Sequence, residues 1–134
     1  MGGVAPQPAL SMRQKKSIRG SVVLRPRLRV MCGREIALGP GRVDLLEFIG
    51  ETGSLRAAAA RMGMSYMRAW TLVKYTNRCF SKPVVEVVRG GKTGGGAKLT
   101  EAGREVVGLY RRMEKQSQRA VKAAWKDLLR FLEK

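Results

Sequence analysis

Ser65, Tyr66, Met67, Arg68, Thr71, Lys74 and Arg78 are spaced over a stretch that also carries Ala69, Val73 and Thr76 at i, i+4 and i+7. If the stretch is helical, the small set packs inward and the polar and basic set faces outward. The chemistry of the outward set suits nucleic acid. A guanidinium such as that of Arg68 matches guanine O6 and N7 bidentately, and a helix N-terminus at Ser65 attracts phosphate. Arg68 and Met67 are therefore expected to influence base preference, and Lys74 and Arg78 to supply phosphate attraction. Ser54 and Arg56, at the start of the preceding helical stretch, join the candidate DNA contacts. Trp70 stays open between core and contact face, with the core favoured because bases in a duplex remain stacked.

A second cationic cluster follows. Arg89, Lys92, Thr93 and Lys98 are interspersed with Gly90, Gly91, Gly94, Gly95 and Gly96. Glycines allow close backbone approach to phosphate or to a minor groove; a solvated loop is the alternative. Gly91-Lys92-Thr93 also matches the end of a nucleotide-binding G-x-x-x-x-G-K-[ST] loop. Glu86 stands where that motif needs its first glycine, and no long helix is expected directly after Thr93, so the match fails.

Other chemistries lack their residues. The chain has no histidine, the commonest general base and metal ligand. Cys32 and Cys79 fit neither a disulfide framework nor a Cys-x-x-Cys pair and read as small core or surface residues without a redox role. Glu47 and Glu51 lie one helical turn apart on a charged face, the usual solvated arrangement. With no nucleophile, base and oxyanion set, the sequence predicts no enzyme, no cofactor and no metal.

The elements that must position the basic residues are legible from pattern. Residues 1–21 mix Pro, Gly, Gln, Ser and isolated basic residues without period, as in a basic arm that is either solvated or touches DNA. Val22 to Met31 alternates apolar and charged residues and, through Gly33-Arg34 to Ile36 and Leu38, predicts a strand or short hairpin. A first helix is expected from about Pro40 to Thr52, ended by Gly53. Ser54 caps a second that carries Leu55, Ala58, Ala59 and Met62, and Gly63 closes it. Ser65 caps a third that runs to about Phe80. Val84 to Val88 and Lys98 to Thr100 form a hairpin wing around the glycine-rich tip. From Glu101 a single long helix carries Val106, Tyr110, Met113, Ala120, Ala124, Leu128 and Phe131 near a heptad seam, with Trp125 on a stripe beside it.

This order predicts a mainly α fold with a small β-hairpin wing: a winged helix-turn-helix over 22–100 and a long C-terminal dimerisation helix over 101–134. The helix carries more apolar surface than a small domain covers, which points to a homodimer.

Net charge agrees with a polyanionic partner. Lys and Arg number 27 against 10 Asp and Glu, for a formal charge of +17, of which residues 60–98 carry +7. No run of 18 apolar residues occurs and the N-terminus lacks a signal-like stretch, so the expected location is the cytoplasm, away from membranes.

The segments GSLRAAAARMGMSYMRAW and VVRGGKTGGGAKLTEAGREVVGLY resemble the N-terminal DNA-binding domain of the molybdate-responsive ModE transcriptional regulators, a LysR-type winged helix-turn-helix. The likeness rests on Gly53-Ser54, on Ser65-Tyr66 with Ala69-Trp70, and on Gly90 to Gly96 followed by Leu99-Thr100 and Gly103. It implies a dimer binding a palindromic operator in double-stranded DNA. The recognition helix would lie around Ser65 to Lys74 and the wing around Arg89 to Lys98. Family members continue into a molybdate-binding part, and this sequence ends at Lys134, so direct molybdate sensing is not expected. The competing expectation is a basic adaptor or RNA-associated protein that uses its C-terminal helix for protein contacts.

Overall fold

The computed structural model describes residues 21–88 and 96–132. The basic arm of residues 1–20 and the wing tip, with Arg89, Lys92 and Thr93, lie outside the described residues. Among the described residues, those within Arg27–Arg112 form one compact unit, and 21–26 together with 113–132 belong to another.

The first unit begins with an antiparallel hairpin, β1 (Val30–Cys32) and β2 (Glu35–Leu38), turned at Gly33, whose φ of 65° suits glycine. The strand expected from Val22 is thus confined to its last residues. Its ladder partner ends where Val30 faces Leu38, because Gly39 and Pro40 turn the chain into a helix. The Leu28 carbonyl accepts instead from the Tyr110 hydroxyl at 2.7 Å, and its side chain packs on the core.

Helix α1 (Pro40–Thr52) starts with proline at its first turn, where no intrahelical N–H partner is needed, and ends at Gly53 in the left-handed conformation. Ser54 then caps α2 (Leu55–Met62): its Oγ accepts from Ala57 N at 3.0 Å. Ser65 caps α3 (Tyr66–Cys79) in the same way, accepting from Arg68 N at 3.1 Å. Ala58, Ala59 and Ala69 are almost wholly buried where α2 crosses its neighbours, their small side chains permitting close approach. Val43, Leu45, Leu46, Ile49, Val73, Val84, Val85 and Tyr110 complete the centre of the core.

The wing strands β3 (Val85–Val88) and β4 (Gly96–Leu99) pair antiparallel, with Val85 opposite Leu99 and Val88 opposite Gly96. Two junctions fix them. Ala97 N donates to Gly53 O at 3.1 Å, and Thr100 N donates to Val84 O at 3.0 Å. The Thr100 hydroxyl donates to Pro83 O at 2.7 Å and accepts from Gly103 N at 2.9 Å, so it also caps the next helix.

That helix, α4 (Glu101–Ala120), is separated from α5 (Lys122–Leu132) by a turn at Val121, so the expected single helix is two. Hydrogen bonds from Val121 N to Ser117 O and from Trp125 N to Val121 O keep the backbone paired through the turn. The first part of α4 belongs to the core, with Gly103, Val107 and Tyr110 buried. Arg111 fastens it to α1: Nη2 lies 2.8 Å from Asp44 Oδ1 and 2.7 Å from Glu47 Oε1, and Nε donates to Glu47 Oε2. Glu47 is therefore an ion-pair partner rather than a solvated carboxylate, and Glu51 pairs with Arg61 at 2.8 Å.

Candidate nucleic-acid interface

Helix α3 has two chemically distinct sides. Ala69, Val73 and Thr76 are buried, and Ser65, Met67, Arg68, Lys74 and Arg78 are exposed, Met67 to 64%. Tyr66 and Thr71 are half-buried at the border. Ser54 is half-buried because its hydroxyl is used in capping α2, whereas Arg56 is exposed and lies over the Tyr66 ring at 4.8 Å. An exposed thioether beside guanidinium groups adds an apolar surface to the charged one.

Aromatic rings hold two of the cations of α3. Lys74 Nζ lies 5.0 Å from the Trp70 ring centre and Arg78 Cζ lies 5.2 Å from that of Tyr75. Trp70 packs against the core, the favoured expectation, and also carries Lys74 on its ring. Tyr75 was not among the sequence candidates; its i, i+3 spacing from Arg78 was the signal that could have found it.

Arg42 was missed as well. It stands in the first turn of α1, donates to the Ile36 carbonyl, and is close enough to Arg68 to feel its charge. Burial lowers its pKa from the usual arginine value, an effect opposed by Cys79 and Glu35 and reinforced by Arg68. A guanidinium remains charged at neutral pH under such a shift, so Arg42 adds positive potential between the β1–β2 hairpin and α3.

The wing is tied to α3 by Asn77. Its Oδ1 accepts from Val84 N at 2.8 Å and from Val85 N at 3.2 Å, and its Nδ2 donates to Val85 O at 3.0 Å. Between α3 and β3 runs an open groove of about 350 Å³ that includes Trp70, Lys74 and Val87. Lys98 is exposed on β4, 3.8 Å from Glu86, a pair too open to neutralise it firmly. Arg89, Lys92 and Thr93 lie outside the described residues.

The candidate seam on the C-terminal helices divides. Tyr110 is only 1% exposed and Val106 packs on the core, so these two serve the first unit's interior rather than a free seam. Met113, Ala120, Ala124, Leu128 and Phe131 are exposed, and Trp125 is half-buried. No helix among the described residues is long and apolar enough to cross a membrane.

Comparison with known proteins fits this geometry. No family model matches the chain. Over 77 residues it is 47% identical to the molybdenum-pterin-binding protein MopB of Rhodobacter capsulatus, a match covering 58% of this chain and 28% of that protein. Over 85 residues it is 40% identical to the molybdenum transport protein ModE of Azotobacter vinelandii, covering 63% of this chain and 32% of the relative.

Over those stretches the chain is a homologue of the ModE and Mop proteins.

The DNA-binding transcriptional dual regulator ModE of Escherichia coli is 37% identical over 81 residues, which are 60% of this chain and 31% of that ModE. The chain thus spans about a third or less of the length of these relatives. Among solved structures, the PcaV transcriptional regulator of Streptomyces coelicolor superposes with a TM-score of 0.50 at 18% identity, covering 98% of this chain and 95% of PcaV. That likeness shows the winged-helix fold, in agreement with the element order of this chain.

Proposed function

We propose that this chain is a transcriptional regulator that binds duplex DNA as a homodimer, with α3 in the major groove and the wing against the backbone. The observation that carries the reading is the exposed face of α3. It presents Ser65, Met67, Arg68, Lys74 and Arg78 from a helix whose opposite side is locked into a winged-helix core. A relative named as a DNA-binding transcriptional regulator supports it, and relatives named for molybdenum transport point to genes of molybdenum uptake or use as targets. Such a role belongs in the cytoplasm.

Two-fold operators require two reading heads. The exposed apolar residues Met113, Val121, Leu128, Phe131 and Leu132 on α4 and α5 and the turn between them supply a surface for a second copy, which would present two α3 helices to successive half-sites. Selection of duplexes from a random pool by the purified chain tests the reading. A palindromic consensus is the expected result. Enrichment of no motif, or tighter binding to structured RNA than to any duplex, would overturn it.

A further inference from the structure

Two thiols take no part in the proposed function. Cys32 ends β1 and is exposed, and Cys79 is the last residue of α3 and is half-buried. The β1–β2 register sets Cys32 opposite Glu35, and Glu35 Oε2 lies 3.9 Å from Nη2 of Arg78, the neighbour of Cys79. Hairpin and helix end therefore meet at one point. There the neighbouring Cys32 thiol, followed by desolvation, pushes the Cys79 thiol up to about 11 against the opposing effect of Arg42. No group of three or more potential ligands for a metal ion occurs among the described residues, and two sulfurs alone do not complete a tetrahedral site.

We propose that Cys32 and Cys79 form a redox modification site whose substrate is a hydroperoxide and whose product is an intramolecular disulfide joining the β1–β2 hairpin to the end of α3. The exposed Cys32 sulfur attacks the peroxide. The O–O bond breaks, Cys32 becomes a sulfenic acid, and the leaving alkoxide takes the thiol proton to depart as the alcohol, or as water from hydrogen peroxide. The Cys79 sulfur then attacks the sulfenic sulfur. The S–S bond forms, the S–O bond breaks, and hydroxide leaves with the Cys79 proton as water. Two thiols lose two electrons in total and one peroxide gains them.

The geometry assigns the order of events. Cys32 is the sulfur that solvent-borne peroxide reaches, and Cys79 is the adjacent sulfur that resolves the intermediate. Because the disulfide would close a long loop, it also raises the unfolding temperature by restricting the unfolded chain.

The test is oxidation of the full chain under native conditions with hydrogen peroxide, followed by mass spectrometry of non-reduced peptides. The expected product is a chain not cross-linked to a second copy and lighter by about two hydrogen masses, with the Cys32 and Cys79 peptides joined. Its unfolding midpoint lies above that of the reduced chain, and dithiothreitol reverses both changes. Cys79→Ser should leave Cys32 as a sulfenic acid trapped by dimedone, and Cys32→Ser should leave Cys79 a free thiol at the same peroxide concentration. A disulfide between two copies through Cys32, over-oxidation without a cross-link, or two thiols left free would each overturn the proposal. None of these readouts depends on DNA, so they are independent of the function proposed above.

Discussion

At the scale of single residues, the proposed reading face separates specificity from attraction. Arg68 is exposed one turn into α3 and has a planar donor fork; Lys74 is a point charge held over Trp70. Arg68→Ala should lose about 1–3 kcal/mol on the preferred duplex and relax base preference at one position. Lys74→Ala should weaken all duplexes alike and reduce the salt slope by about one. Both follow from gel-shift titrations over a salt series, and equal losses on every sequence for both variants would remove Arg68 from base reading. Asn77 acts differently, since its three hydrogen bonds serve the wing backbone. Asn77→Ala leaves the N–H groups of Val84 and Val85 without that partner and should cost about 2–3 kcal/mol in urea unfolding. An unchanged midpoint would show that the wing root is held by β4 and Thr100 alone.

At the scale of elements, close approach governs the junction between wing and α4. A Cβ built at Gly103 would fall 2.1 Å from the Val84 carbonyl oxygen, backbone that cannot swing aside as a side-chain tip does. Gly103→Ala should therefore destabilise by more than about 2 kcal/mol, despite alanine's better helix propensity of about 1 kcal/mol. Thermal unfolding decides the sign. Gly108 is the natural control, because it lies in the same helix and a methyl group there would meet nothing within 4 Å. Gly108→Ala should be neutral or stabilising. The caps of α2 and α3 follow local rules that hold in any context, since Ser54 and Ser65 each satisfy a helix N–H from three residues away.

At the scale of the whole molecule, charge and apolar surface act together. A formal charge of +17 opposes self-association, so a dimer needs apolar burial to offset repulsion. Leu128 and Phe131 are 52% and 82% exposed and are the natural source. Replacing both by Asp should convert a dimer into a monomer in sedimentation analysis and lower operator affinity by more than about tenfold, while circular dichroism of the winged helix stays the same. A double variant that still sediments as a dimer would move the interface elsewhere.

The sequence by itself determined what is local. Gly53-Ser54 and Gly63 to Ser65 define helix ends through backbone conformation and capping, and the period of Ala69, Val73 and Thr76 fixes the inward side of α3. Those signals depend on neighbours a few residues away, and the bounds of α1, α2 and α3 follow them closely. Only the tertiary structure decided what depends on distant partners. The alternation from Val22 implied a longer strand, but strand length is set by the partner, and β2 ends at Leu38. Tyr110 fitted a helical seam, yet its hydroxyl meets the Leu28 carbonyl inside the core. Asn77 and Arg42 carried no spacing signal, because their partners lie on other elements. Cys32 and Cys79 looked like unrelated residues until folding brought the β1–β2 hairpin to the end of α3, where Glu35 opposite Cys32 meets Arg78 beside Cys79.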